Sequence, residues 1–209
     1  MKKFIPHLVA IVGGSGAGKT WLGNAIQKEL GGGVARLSLD SFYLDRSNVA
    51  RRQREKINFD DPAAIDWTLL AAVLEELVAG RPAQVPIYDF ATHTRATGNE
   101  TLSPEPLILV EGLWLLRERT IRGLFDLTIF IDCPESIRFT RRLARDVAER
   151  NRTPLSIRKQ FLASVKPMHK RHVESQKHLA DMVFSYCPGE SEIRDLAGQL
   201  RKLATKVRL

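Results

Sequence analysis

A glycine-rich run closed by lysine and threonine stands near the start of the chain: Gly13-Gly14-Ser15-Gly16-Ala17-Gly18-Lys19-Thr20. It fits G-x-x-x-x-G-K-[ST], the phosphate-binding P-loop. Its glycines let the backbone turn so that successive N–H groups face phosphate oxygens, and the following helix adds its positive N-terminal end. Lys19 is placed to reach the β- and γ-phosphates of a nucleotide, and the Thr20 hydroxyl to ligate Mg²⁺. Two carboxylates stand where strand-like runs end: Asp40 after Val34-Ala35-Arg36-Leu37-Ser38-Leu39, and Glu111 after Leu107-Ile108-Leu109-Val110. Ligands of open α/β sheets bind at that edge. There Asp40 can accept the proton of an attacking hydroxyl and sit near the metal, and Glu111 can hold Mg²⁺ through water. Asp132, which also ends a strand, reads as structural.

Six arginines lie between Arg138 and Arg152. Arg138, Arg142 and Arg145 share one helical stripe with Arg141 beside it, and Arg150 and Arg152 straddle Asn151 near the helix end. Such a stripe suits nucleic acid or a mobile lid over ATP, where it would neutralise transferring phosphate and keep water out. The charge does not choose between them, although the lack of interleaved aromatics counts against single-stranded nucleic acid.

These residues need a scaffold, and the chain alternates strand-like and helix-like segments. Strands are expected over 8–12, 34–39, 107–110, 127–131 and 181–185, and helices over 20–30, 68–78, 134–150, 154–165, 167–179 and 192–206. Near-continuous apolar strands alternating with helices argue for an α/β fold with a parallel sheet covered on both faces. Between Pro82 and Ser103 the pattern breaks, and 84–90 with 95–102 read as a β-hairpin outside the main sheet. Length bounds the rest: 209 residues predict a single domain over 1–209, with the hairpin as an insertion (82–103) and a lid region over 134–165. The composition, 44% hydrophobic and 27% charged, is that of a soluble globular chain and excludes a disordered tail, a collagen or a coiled coil. No apolar run is long enough for a membrane span, and the net charge of +8 suits a polyanion such as ATP. Met1-Lys2-Lys3-Phe4-Ile5-Pro6-His7 leads into the glycine loop, not a small-residue cleavage site, so no secretory leader is expected. Cys133 and Cys187 are too few for a disulfide framework, and the cytoplasm is the expected compartment.

Taken together, the motifs resemble those of the uridine kinases (uridine-cytidine kinases) in the phosphoribulokinase/uridine kinase group of P-loop kinases. The resemblance is carried by Gly13 to Thr20, Leu37-Ser38-Leu39-Asp40-Ser41-Phe42-Tyr43, Asn58-Phe59-Asp60-Asp61-Pro62 and Pro86-Ile87-Tyr88-Asp89-Phe90 with His93 and Arg95. Val110-Glu111-Gly112, Arg141 to Asp146, Glu149 to Arg152 and Val165-Lys166-Pro167-Met168 extend it to about Phe184. It implies a P-loop NTPase fold with a five-stranded parallel sheet flanked by helices, a substrate-binding β-hairpin and an Arg-rich helical lid. It also implies phosphorylation of the 5′-hydroxyl of uridine or cytidine with ATP or GTP and Mg²⁺, a small-molecule nucleoside partner with no nucleic acid or membrane, and a homo-oligomer, since family members are often tetrameric.

The resemblance carries roles to matching positions. Asp40 matches the catalytic base, with Lys19 and Arg145 on the transferring phosphoryl. Asp60 and Arg142 match the pair that grips the ribose hydroxyls; Tyr88 and His93 match the readers of the base, with Phe90 packing nearby. Arg152 and Gln160 match further substrate contacts, Arg145 and Arg150 the lid arginines on the phosphates, and Thr20 and Glu111, near Asp40, the Mg²⁺ site. Three positions depart from the pattern: Asn151 replaces a glycine, Trp21 a small or modest residue, and Asp61 a histidine, adding a negative charge beside Asp60. Two readings remain beside this one: a sister kinase for another small alcohol (pantothenate, ribulose 5-phosphate or nicotinamide riboside), and a non-catalytic nucleotide- or nucleic-acid-binding module.

Overall fold

All seven residues of the first strand, β1 (His7–Gly13), are buried, as an apolar strand paired on both edges and covered on both faces must be. The computed structural model describes residues 4–54, 57–150 and 152–205, which leaves Asn151 and Lys206 outside the described residues. After β1 come α1 (Lys19–Leu30), β2 (Val34–Ser38), α2 (Arg51–Arg54), α3 (Trp67–Val78), β3 (Ala83–Asp89), β4 (Thr94–Leu102), β5 (Leu107–Gly112) and α4 (Arg119–Arg122). The chain continues through β6 (Leu127–Asp132), α5 (Glu135–Arg150), α6 (Pro154–Gln160), α7 (Lys166–Met168), β7 (Met182–Ser185) and α8 (Glu190–Ala204).

Five strands form a parallel sheet in the order β2-β5-β1-β6-β7, while β3 and β4 pair antiparallel as a separate two-stranded sheet. Side chains alternate across a strand, so β1 feeds two cores. Leu8, Ala10 and Val12 pack with Leu70, Leu74 and Trp114 on one face. Val9 and Ile11 pack with Leu22 and Ile26 of α1 and Leu196 and Leu200 of α8 on the other. Among the described residues no helix is long and apolar enough to cross a membrane.

Two elements differ from the sequence expectation. The two helices expected over 154–165 and 167–179 form one uninterrupted helical run, in which π-type stretches (Phe161–Val165 and His169–Val173) flank α7 and a 3₁₀ turn (Glu174–Leu179) ends it. Pro167 does not break the run. The helix is already widened before it, with the Lys166 N–H bonding the Phe161 carbonyl, so the proline ring escapes the clash of a regular helix. The second strand stops at Ser38 and turns into a 3₁₀ helix (Leu39–Phe42), tightened where Ser38 Oγ accepts the Asp40 N–H at 3.2 Å. Asp40 therefore sits on a turn and not at the strand's last pleat.

The hairpin is fastened to the body through Arg95. Its Nε donates to the Tyr43 carbonyl at 3.1 Å, and its Nη2 pairs with Asp66 Oδ2 at 3.1 Å. The other Asp66 oxygen caps α3 by accepting the Leu69 N–H at 3.0 Å. One carboxylate thus closes a helix and ties down the hairpin. Loss of an N-cap costs about 1 kcal/mol, and the stranded guanidinium adds to it. Asp66→Ala is expected to destabilise the protein by about 1–2 kcal/mol in urea unfolding; an unchanged midpoint and slope would show that Asp66 does neither job.

Candidate active site

The P-loop is squeezed from behind. Gly16 (φ 80) and Gly18 (φ 105) occupy the left-handed region, and a Cβ on Gly16 would lie 2.5 Å from the Arg138 carbonyl oxygen. A Cβ on Gly14 would meet His169 Nδ1 at 2.8 Å and Arg138 Cδ at 2.9 Å. Arg138 itself is buried and donates from Nε to the Cys133 carbonyl at 3.1 Å. It is therefore a buttress for the loop and not a lid residue. Burial, aided by Arg138 and Lys19, depresses the His169 pKa to about 4, so the imidazole behind the loop is neutral near pH 7. Lys19 Nζ folds back on the loop, donating to the Gly13 and Gly14 carbonyls at 2.9 and 3.1 Å. Ala17 is buried beneath the loop, its N–H bonded to Gly14 O at 3.0 Å.

Sheet register brings the carboxylates to this loop. Ser38 pairs with Glu111 and Ile11 with Glu111 in adjacent ladders, so Asp40 and Glu111 leave neighbouring strand ends beside the P-loop. Thr20 Oγ1 donates to Glu111 Oε2 at 2.7 Å, and Arg36 Nη2 donates to Glu111 Oε1 at 2.7 Å. Burial raises the Asp40 pKa against the pull of Lys19, and burial lowers the Lys19 pKa against the pull of Asp40 and Glu111. A cavity of about 260 Å³ lies here, lined by Lys19, Thr20, Trp21, Asp40, Glu111 and Arg145 among others. A hydroxyl and two carboxylates are hard oxygen donors, and Mg²⁺ completed by phosphate oxygens and water needs only one or two carboxylates. The donor set fits that ion.

The arginines gather on one carboxylate. Asp146 has no solvent exposure and stands within ion-pair reach of four guanidiniums: Arg145 at 2.7 Å, Arg142 and Arg152 at 3.5 Å, and Arg150 at 3.8 Å. Arg142 is also buried. It donates to Ser15 Oγ at 3.1 Å and to Gln160 Oε1 at 3.1 Å, and faces Asp60 Oδ1 at 3.8 Å. Gln160 Oε1 is shared with Arg152 at 2.5 Å.

Beyond this cluster opens a second cavity of about 890 Å³ between the hairpin, the helices α5 and α6 and the sheet edge. Asp60, Tyr88, Phe90, His93, Arg152 and Gln160 all line it. Its wall is aromatic: Tyr43 stands edge-on to Phe59 and Phe90, and His93 stacks on Phe59 at 4.4 Å and 12°. Among the described residues the buried Tyr88 hydroxyl has no hydrogen-bond partner, and burial pushes its pKa up to about 12, so it stays protonated and can donate. Arg150 lies over the Phe90 ring at 5.0 Å and lines this cavity. The resemblance places it on the phosphates; here its guanidinium lies against the Phe90 face and 3.8 Å from Asp146. Asp40, Arg142 and Arg145 line both cavities and form the partition between them.

Several residues at the site carry no role in the sequence motifs alone. Ser164 Oγ donates to Asp60 Oδ2 at 2.8 Å, and Tyr43 and Phe59 supply the wall. Tyr43 and Phe59 stood in the motif blocks beside Asp40 and Asp60, and that adjacency was the available signal; Ser164 had none. Arg141 donates to the Ala17 carbonyl at 3.2 Å and stacks over the Tyr186 ring at 5.4 Å. Asp61 does not line the large cavity; its Oδ1 accepts the Ala63 N–H at 2.8 Å to cap a short 3₁₀ turn. Asp132 pairs with Lys177 at 2.7 Å, in keeping with a structural part.

Comparison with known proteins agrees with this architecture. The model of the phosphoribulokinase/uridine kinase family matches residues 8–191. The uridine kinase of Chloroflexus aggregans is 40% identical over 183 residues, covering 87% of this chain and 88% of that protein. The uridine kinase of Deinococcus deserti is 39% identical over 182 residues, with coverages of 87% and 88%. Among solved structures, the phosphoribulokinase from Rhodobacter spheroides superposes with a TM-score of 0.64 at 17% identity, covering 86% of this chain and 69% of that one, which speaks to the fold alone. The matches span nearly all of the sheet, the P-loop and the arginine helix described above, and the chain belongs to the phosphoribulokinase/uridine kinase family.

Proposed function

We propose that the protein is a nucleoside kinase, transferring the γ-phosphoryl group of ATP to the 5′-hydroxyl of uridine and of cytidine and releasing ADP and the nucleoside monophosphate. The observation that carries this reading is the position of Asp40, whose side chain faces a phosphate-type cavity on one side and a nucleoside-sized aromatic cavity on the other. The names of the relatives, uridine kinases at about 40% identity, support the choice of acceptor.

In the proposed reaction the 5′-oxygen attacks the γ-phosphorus, the bond from that phosphorus to the β–γ bridging oxygen breaks, and the hydroxyl proton passes to Asp40. A carboxylate with a raised pKa suits that task, since it holds the proton better than a free aspartate. Lys19 and Arg145 offset charge on the transferring group, and Arg142 with Asp60 holds the ribose diol, one donating and the other accepting. Tyr88, His93, Arg152 and Gln160 offer donors and acceptors for the pyrimidine edge, against the ring faces of Phe59 and Phe90. Thr20 and Glu111, near Asp40, would hold Mg²⁺, which when bound neutralises phosphate charge.

A coupled assay of ADP release over a panel of nucleosides and small pathway alcohols tests the reading directly; turnover of a non-nucleoside alcohol in preference to uridine would overturn it. Asp40→Asn is expected to cut kcat roughly 10²-fold or more with ADP affinity preserved, and near-normal turnover would remove Asp40 from its role. The sign of the pH dependence follows from burial. Asp40 must be ionised to accept a proton, and burial raises its pKa above the usual 3.8, so kcat falls as pH drops through that raised value. A rate that stays flat down to pH about 4, the free carboxylate's range, would contradict this. His93→Ala is expected to lower kcat/KM for uridine about 10- to 100-fold, mainly through KM, because the base is bound alike in ground and transition states. A loss confined to kcat would place His93 elsewhere.

A further inference from the structure

Arg36 lies on β2, an edge strand of the sheet, where a long cation could simply extend into water. Instead its guanidinium crosses to α1 and β5. Nη2 donates to Glu111 Oε1 at 2.7 Å, and Nη1 bonds Asn24 Oδ1. The helix is shaped to admit it: a Cβ on Gly23 would lie 2.7 Å from Nη2 and 2.9 Å from Cζ. Thr20, Gly23 and Asn24 are spaced i, i+3 and i+4 and so share one face of α1. That face carries a hydroxyl, a gap for the guanidinium and its anchor. Both partners are largely sheltered, with side-chain exposures of 21% for Arg36 and 15% for Glu111.

The result is a division of Glu111 between two partners. Oε1 is held by a cation anchored to α1, and Oε2 is left facing Thr20 Oγ1 at 2.7 Å. Arg36 does not itself line the P-loop cavity. Lys19 lies near enough to feel the Glu111 charge, so an untethered carboxylate has a competing cation to swing toward. We propose that Arg36 is a positioning residue for the divalent-cation site, holding Glu111 in the rotamer that keeps Oε2 on the Thr20 side. The proposal rests on reading Thr20 and Glu111 as the Mg²⁺ pair. Groups that orient a metal-binding carboxylate without touching the metal typically alter affinity 10- to 100-fold.

Charge and orientation predict opposite signs, which makes the proposal decidable. A guanidinium beside Glu111 repels a dication, so charge alone would make Arg36→Met bind metal more tightly; loss of orientation makes it bind more weakly. The test is Mn²⁺ titration followed by electron paramagnetic resonance in the presence of ADP, on the full chain. Arg36→Met is expected to weaken Mn²⁺ about tenfold, while ADP affinity measured in EDTA stays within twofold. Gly23→Ala pushes the guanidinium aside without touching Glu111 or Thr20, and should weaken Mn²⁺ in the same sense. Alanine is the better helix former, so an unchanged or higher Tm in that variant would separate positioning from general damage. Glu111→Gln serves as the reference, and adding Arg36→Met to it should cost little more, as expected for residues acting through one group. If Glu111→Gln weakens Mn²⁺ but Arg36→Met leaves it within twofold or tightens it, the positioning role is wrong while the metal pair stands. If Glu111→Gln binds Mn²⁺ like the wild type, the metal-pair reading falls, and this proposal with it.

Discussion

Confined positive charge is the constraint around which this structure is arranged. Four guanidiniums converge on Asp146, whose carboxylate has no contact with solvent. Without that anion these neighbouring arginines, three on α5 and one just past its end, would repel each other; with it they are drawn together beside the cavities. The cost of burying a carboxylate is offset only when its hydrogen-bonding capacity is filled by cations of good geometry, and the two short bonds from Arg145, from Nε at 2.9 Å and Nη2 at 2.7 Å, supply part of that. The arrangement leaves the cleft rich in cations and well matched to a polyanionic ligand. Of the four, Arg142 and Arg145 also line the P-loop cavity.

The same logic recurs at the sheet edge. Lys19 rests on loop carbonyls, Thr20 on Glu111, and Glu111 on Arg36. Lys19, Thr20 and Glu111 are thus each engaged by a protein partner, so these three groups of the P-loop cavity are held in place by the fold itself. His169 contributes by staying neutral: a charged imidazole behind Gly14 would add to the repulsion from Arg138 and Lys19, and burial prevents it.

In the larger cavity aromatic rings join the charges. The hairpin is outside the main sheet and is held by Arg95 to Tyr43 and Asp66, while α5 reaches it through Arg150 over Phe90. The Tyr88 hydroxyl within that cavity, without a partner among the described residues, is a donor that a ligand's acceptor would satisfy.

Much of this was legible along the chain. The P-loop spacing, the apolar runs that became β1, β5 and β6, the Gly31 stop of α1 and the hairpin between Pro82 and Ser103 are local patterns, and local patterns survive without knowledge of neighbours. Asp40, Glu111 and the arginine stripe were found the same way, as residues at strand ends or at helical spacing. What the chain alone did not contain were relations between distant segments. Nothing in the order of residues says that β5 lies beside both β1 and β2, which is what brings Glu111 next to Thr20 and within reach of Arg36. Arg138 and Arg142 share a stripe with Arg145, yet packing against the P-loop makes the first a buttress and buries the second against Ser15 and Gln160. Pro167 reads as a helix break, but widened turns on either side absorb it. Asp61 reads as an extra charge for the substrate and instead closes a turn. Sequence determines which groups are available and on which face of their own element they stand; only tertiary packing, through sheet order and burial, decides which of them meet and in what state of charge.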